Sequence, residues 1–412
     1  MEQTDKKRKY NLLIAACALL YIFSIASKSV FMSASAALTG VFNCSDTEIS
    51  LVNTYYFVTY GIVQVLLSFF IGKINVKIYL IITIPLSAVC CAAIALISNV
   101  QAAWIIFAIN GIMQAGVWCC CILILSKYLP YKYLAKANTF LSVGMTVGNL
   151  LSTGSASFAI AINYWQIAFI FLGALLFASV VFFAMVIRLF KTENAAYISG
   201  GDNTEQDEEI PLYTLDSRKK VALFFIFACI VAFLSSCIYY ALNNLLSFYI
   251  RDNFINDPTL FTLIPIFFPI VITVGPLIAI NYCKKHKNYI KSLAFFIFFL
   301  IVFSAIMIFI YKINLILSLS IIAVIAVFCR ASSTVYSGVA AFSIRSQINT
   351  GSYSALTNAF ASLSAGISPT VTISIIKQFG WDYWFIIITT VAVVLLIFTV
   401  SLQVFTKKAQ NF

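Results

Sequence analysis

Apolar residues in this chain fall into long unbroken runs, and the polar stretches between them hold nearly all the charge. About 20 consecutive apolar residues is the length at which an α-helix crosses a hydrocarbon layer about 30 Å thick. Twelve such runs occur, at 11–38, 48–71, 78–98, 103–125, 137–161, 165–188, 220–249, 258–281, 289–311, 314–343, 352–376 and 383–405. The pattern predicts an all-α membrane protein of twelve transmembrane helices. In Ser45-Asp46-Thr47-Glu48 a hydroxyl precedes an acid by three positions, which predicts a capped helix start. Pro265, Pro269 and Pro276 predict a bent eighth span. Gly144 and Gly148, four apart, predict a close helix crossing in the fifth.

The longest polar stretch runs from about Arg188 to Lys220 and contains Gly200-Gly201-Asp202-Asn203 and the acidic cluster Glu205 to Glu209. That composition is a flexible linker, too poor in apolar residues to bury a core of its own. It divides an N-terminal six-helix half, 1–188, from a C-terminal six-helix half, 220–412, with 189–219 as the linker.

Composition narrows the class. With 62% hydrophobic and 10% charged residues, the surface of the folded chain has to face lipid, so a soluble fold is excluded. A net charge of +12 is also what a nucleic-acid binder carries. Here the cations sit between apolar runs, where they set orientation, so the partner is a lipid bilayer and not a nucleic acid. With the N-terminus inside, 21 Lys and Arg fall in inner segments, against only Arg251, Lys312 and Lys377 outside. This bias predicts cytoplasmic termini in a multi-pass protein of a bacterial inner membrane. The first run follows Lys6-Lys7-Arg8-Lys9 without a small-residue cleavage site and reads as a retained span. Eleven Cys show neither metal spacing nor a paired framework, so no metal or other cofactor is expected.

Two charged side chains remain inside the runs, Lys28 and Arg330. All fourteen Asp and Glu lie in loops, at termini or at span ends, and the single His, His286, lies in an inner loop. A cation at the bilayer centre costs roughly 2.5–3.5 kcal/mol on insertion scales, so it faces a wet cavity or a partner. Two such cations without a carboxylate point to an anion that visits them. Without an intramembrane Asp, Glu or His, exchange or uniport is favoured over proton or sodium symport. No catalytic constellation occurs within the spans, so an enzyme is not expected.

Two six-helix halves joined by an inner loop resemble the major facilitator superfamily. Several stretches resemble its organophosphate–phosphate antiporters, the glycerol-3-phosphate and hexose-phosphate carriers. These are Lys28-Ser29-Val30-Phe31, Tyr60-Gly61, Gly111-Ile112-Met113-Gln114 followed by Trp118 and Cys121, the spacing of Tyr240 and Tyr249, and Phe379-Gly380-Trp381-Asp382. The resemblance places Lys28 where that family binds phosphate with Arg. It also marks departures: the family's second Arg falls at Tyr239, its second-span Lys at Gln64 and its fifth-span His at Met145. The loop Gly72-Lys73-Ile74-Asn75 lacks the usual Asp. The phosphate pocket is not retained as a unit, and Arg330 supplies the second cation from the opposite half.

The resemblance further implies a central path lined by the first, fourth, seventh and tenth spans. Each carries a polar stripe at helical spacing. The first has Tyr21, Ser24, Lys28 and Ser35, and the fourth has Asn110, Gln114, Trp118 and Cys121. The seventh has Ser236, Tyr240, Asn243 and Ser247 with Tyr239 and Asn244 beside them, and the tenth has Arg330, Ser333, Thr334 and Ser337. The expected substrate site comprises Lys28, Arg330, Gln114, Trp118, Tyr239, Tyr240, Asn243, Asn244, Tyr21, Tyr60 and Gln64. Lys28 and Arg330 would draw the anion, Trp118, Tyr239 and Tyr240 would shape the pocket, and Gln114, Asn243 and Asn244 would donate hydrogen bonds. The expected function is secondary transport of a small organic anion, an organophosphate or carboxylate, by a monomer. The counter-substrate would be inorganic phosphate or another anion, and the two halves would rock about the site. Rival readings are an exporter of neutral or amphiphilic compounds and a non-transporting sensor on the same fold.

Overall fold

A computed structural model describes residues 2–70, 74–190, 218–286, 289–336 and 350–407. Most of the linker, Gly72 and Lys73 of the loop motif, and Ser337 with the end of the tenth run lie outside the described residues. The described residues form helices and no strand. In lipid, helices satisfy every backbone N–H and C=O within one segment, so apolar runs of this length have few alternatives.

The first half comprises α1 (Glu2–Phe42), α2 (Asp46–Phe70), α3 (Val76–Ala93), α4 (Val100–Gln114), α5 (Val117–Tyr128), α6 (Tyr131–Ala161) and α7 (Gln166–Arg188). The second comprises α8 (Arg218–Asn253), α9 (Pro258–Leu263), α10 (Phe267–Val271), α11 (Val274–His286), α12 (Tyr289–Ile310), α13 (Leu315–Thr334), α14 (Thr350–Phe379) and α15 (Asp382–Lys407). Among the described residues eleven helical segments are long and apolar enough to span a membrane. The protein is a multi-pass integral membrane protein. The fifth span, α6, is not among the eleven; its sequence interrupts the apolar run with Asn149, Ser152, Thr153, Ser155 and Ser157. Three of these groups tie α6 to α1: Ser29 Oγ donates to Asn149 Oδ1 at 3.0 Å, and Ser33 Oγ meets Ser152 Oγ at 3.1 Å and Thr153 Oγ1 at 3.2 Å. Gly148 permits the approach, since a Cβ there would stand 2.6 Å from the Ile22 carbonyl oxygen.

The capping box at Ser45 is formed, with Ser45 N donating to Glu48 Oε2 and Glu48 N to Ser45 Oγ. Two runs expected as single helices are divided. The fourth breaks at Ala115–Gly116, where Tyr79 of α3 presses in; a Cβ on Gly116 would lie 2.4 Å from its ring. The eighth is split by a 3₁₀ turn at Ile264–Ile266 and again after Val271, because Pro265 and Pro269 lack the N–H that a continuous helix uses. Its upper pieces, α9 and α10, pack on α6 of the first half, whereas α11 packs on α12 and α13 of its own half.

The apolar cores show how the halves meet. One cluster, with Leu20, Leu80, Ile124 and Phe183, belongs wholly to the first half, and another, with Phe224, Phe296 and Tyr353, wholly to the second. Both lie toward the chain termini. At the opposite end a single cluster runs across both halves and includes Phe31, Phe57, Phe107, Leu242, Phe268 and Trp384. Among the described residues the halves are therefore joined at the end away from the termini, and no core cluster crosses between them at the terminus end.

Charge reinforces this join. Arg251 at the end of α8 grips Asp46 at the start of α2 with both amino groups, Nη1 to Oδ1 at 3.0 Å and Nη2 to Oδ2 at 2.8 Å. Arg251 Nη1 also reaches the Ala36 carbonyl of α1 at 3.3 Å. Lys377 of α14 lies 2.5 Å from Asp46 Oδ2 and 3.5 Å from Asp252 Oδ2, and Asp252 accepts from Arg251 Nε and from Trp381 Nε1 in the turn before α15. Helices α2, α8 and α14 and the turn before α15 thus meet at two carboxylates, with α1 joined through Arg251.

Candidate functional site

The two intramembrane cations come from opposite halves, Lys28 on α1 and Arg330 on α13, and each keeps partial exposure inside the bundle. Aromatic faces, not acids, hold them. Lys28 Nζ lies 5.6 Å from the centre of the Tyr60 ring and 5.9 Å from that of Phe57, while Arg330 Cζ lies 5.2 Å over Tyr239. The ion pairs of Arg251 and Lys377 with Asp46 and Asp252 lie at the joined end, and among the described residues no ion pair includes Lys28 or Arg330. A cation–π contact is worth roughly 0.5–2 kcal/mol, a partial substitute for a counter-ion.

The rings connect the charges across the half boundary. Phe57 of α2 meets Tyr240 of α8 at 5.4 Å between centroids, and Tyr240 meets Tyr239 at 5.0 Å. A continuous aromatic bridge thus leads from Lys28 through Phe57, Tyr240 and Tyr239 to Arg330. Tyr21 packs on Trp118 at 5.0 Å and lies within electrostatic range of both Tyr240 and Arg330. Gly275 sets the depth at which Arg330 sits: a Cβ on it would come within 3.0 Å of Arg330 Cβ and 2.5 Å of the Val327 carbonyl oxygen.

The structure thus gathers Lys28, Tyr60, Tyr21, Trp118, Tyr239, Tyr240 and Arg330 around one region. Gln114 is differently placed. Its Oε1 accepts from Ser24 Oγ and Tyr56 OH, each at 3.0 Å, and its Nε2 donates to Ser27 Oγ at 3.0 Å and Ser87 Oγ at 2.8 Å. Asn110 joins through Ser87 Oγ at 2.7 Å. This buried knot ties α1, α2, α3 and α4 together and occupies the hydrogen bonds expected of Gln114 at a substrate. Three stripe hydroxyls are likewise taken up locally: Ser35 donates to the Met32 carbonyl and Thr334 to that of Arg330, while Ser333 donates to Tyr336 OH.

Asn243 donates to Asn244 Oδ1 at 3.2 Å, which leaves the buried Asn244 Nδ2 without a partner among the described residues. Gln64 is buried one turn beyond Tyr60 on α2, with neither amide atom meeting a nitrogen or oxygen partner among the described residues and only the Cys119 thiol beside it. Cys121 packs against Cys17 of α1, and Tyr249 lies among Trp381, Trp384 and Phe385 with its hydroxyl on the Tyr311 carbonyl, away from the site. Sequence reasoning missed Phe57. The available signal was its position three residues before Tyr60, which places both on one face of α2.

The family model described as Major Facilitator Superfamily matches residues 17–369. A search of curated proteins finds no match. Among solved structures, a bacterial homologue of the human lysosomal transporter Spinster, inward-facing and unoccupied, superposes with a TM-score of 0.73 at 12% identity, covering 98% of this chain and 97% of that one. The inward-facing, occupied form of the Spinster homologue gives 0.68 at 15% identity over 98% and 97%. The nucleoside transporter NupG gives 0.66 at 12% identity over 95% and 98%. At these identities the likeness is one of fold.

Proposed function

The chain belongs to the major facilitator superfamily, and from that premise we propose that it is a secondary transporter of a small organic anion, working by alternating access. One observation carries the reading: Lys28 and Arg330 stand on opposite halves at mid-bundle, held by ring faces and by no carboxylate among the described residues. An anion that touches both draws the halves together, so the substrate itself favours the occluded state. The arrangement suits exchange, because a site that holds two bare cations crosses more readily when loaded. The terminus end faces the cytoplasm of a bacterial cell if the Lys and Arg bias sets the sidedness. The organophosphate resemblance leaves phosphate esters and carboxylates as the candidate cargo, with inorganic phosphate or another anion in return.

The test is anion exchange in proteoliposomes. At an effective dielectric near 20 a close charge contact is worth up to about 4 kcal/mol before desolvation, so half of that, lost on Lys28→Ala or Arg330→Ala, lowers exchange by about 30-fold. Unaltered uptake in both variants overturns the proposal. The aromatic bridge favours a second reading, a carrier of neutral amphiphilic compounds, which predicts indifference to both substitutions and sensitivity to Tyr240→Ala.

A further inference from the structure

Among the buried polar side chains described, Gln64 alone leaves two polar atoms unmet. It is 1% exposed, and among the described residues neither its Nε2 nor its Oε1 meets a nitrogen or oxygen partner. Ser157, Thr262 and Trp384 lack a partner at their one polar atom and Asn110 and Asn244 at one of two, whereas Gln64 leaves both a donor and an acceptor unmet. A buried amide with neither end satisfied is an expensive thing to keep, and native folds keep one only where something else completes it. Among the described residues the Cys119 thiol of α5 is its one hydrogen-bonding neighbour, and a thiol is a weak partner that leaves most of the amide's capacity unused.

Its location says what completes it. Gln64 follows Tyr60 by four residues, so the two share a face of α2, and the Tyr60 ring carries the Lys28 ammonium. The neighbourhood therefore offers one positive charge together with one donor and one acceptor on a neutral amide. A ligand that matches it has a singly charged negative group for Lys28 and, next to that, an uncharged group that both donates and accepts. A carboxylate with a neighbouring hydroxyl has this form. A phosphate monoester, with about two negative charges at neutral pH, would meet only a single cation at this pole. Lys28, with its flexible four-carbon stem and partial exposure, is the element that moves off the ring to admit the group.

We propose that Gln64, Tyr60 and Lys28 form a subsite that selects hydroxycarboxylates, with Gln64 reading the hydroxyl and Lys28 the carboxylate. The proposal rests on the anion-transport reading and adds a substrate class to it.

Matched pairs test it: malate against succinate and lactate against propionate, each pair differing by one hydroxyl, with glycerol 3-phosphate as the ester probe. Binding to the purified full-length protein is measured by calorimetry, and Tm is recorded without ligand. The expected result is a preference of at least about tenfold for the hydroxylated member, abolished in Gln64→Met, while Lys28→Ala removes binding of both members. Gln64→Met replaces an unsatisfied amide with an apolar chain of similar length, so its ligand-free Tm is expected to hold or rise. A fall in that Tm shows that the amide already has a structural partner and overturns the subsite. So does Lys28-dependent binding of both members without a preference, a preference that survives Gln64→Met, or Lys28-dependent binding of the phosphate ester alone. These results leave anion transport standing. Anion binding that ignores Lys28 altogether, or no anion binding at all, overturns both.

Discussion

Replacing Asp46 with Asn removes the charge around which the joined end is assembled while keeping the size of the side chain. Asp46 accepts from both amino groups of Arg251 and from Lys377, and its side chain is only 8% exposed. The three donors are not equivalent. Lys377 is 46% exposed, so solvent screens its contact, which is worth about 0–1 kcal/mol. Arg251 is 19% exposed and grips in two-pronged fashion, closer to the buried case in which losing one partner costs about 3–5 kcal/mol. The retained amide oxygen still accepts one bond, so the net loss is taken as about 2 kcal/mol, a 30-fold shift of the equilibrium away from the joined end. Deuterium exchange reads this shift directly. In Asp46→Asn the amides near 36–46 and 248–256 exchange faster, while those of α5 and α11 at the terminus end become better protected. Arg251→Gln gives the same pattern, and the double variant adds little to either single change because both act on one contact. Unchanged exchange at both ends of the single variants, or full additivity in the double, refutes the assignment of the Asp46–Arg251 contact as the fastening between halves.

Three further outcomes follow from the packing. Gly148→Val drives a side chain into the Ile22 carbonyl and lowers stability by about 1–3 kcal/mol, whereas Gly154→Ala, with open space around it, leaves the Tm in detergent unchanged. Gln114→Leu leaves the Ser24 and Tyr56 hydroxyls without their acceptor, strips a donor from Ser27 and Ser87, and costs about 3–5 kcal/mol in thermal unfolding. Gly275→Val pushes on Arg330 and lowers anion exchange by the same factor as Arg330→Ala, about 30-fold, while leaving the Lys28 contacts intact; normal exchange shows that Arg330 is not held in place by that glycine.

The span pattern was legible because a bilayer imposes one requirement at every depth, and twenty apolar residues meet it or do not. Lys28 and Arg330 were legible for the same reason, since a lone charge in such a run has few places to go. What could not be read was partnership. Gln114 carries the signature of a lining residue, a polar group on a helix face, yet its partners Ser24, Ser27, Tyr56 and Ser87 come from three other helices, and only the tertiary fold brings them within reach. Arg251 and Lys377 read as ordinary loop cations; Arg251 lies 205 positions from the acid it holds. The break at Ala115–Gly116 was hidden because the residue that enforces it, Tyr79, lies in a different span. Proline, whose effect is local, marked the eighth span correctly.

That eighth span keeps company with two masters. Its first pieces lean on α6 in the partner half, its last on α12 and α13 at home, and the change of allegiance falls where Pro265 and Pro269 have already severed the helix. When the halves swing, the two ends must travel differently, and the stretch from 264 to 273 absorbs the mismatch. Stiffening that stretch would therefore slow turnover while leaving the grip on cargo as it was.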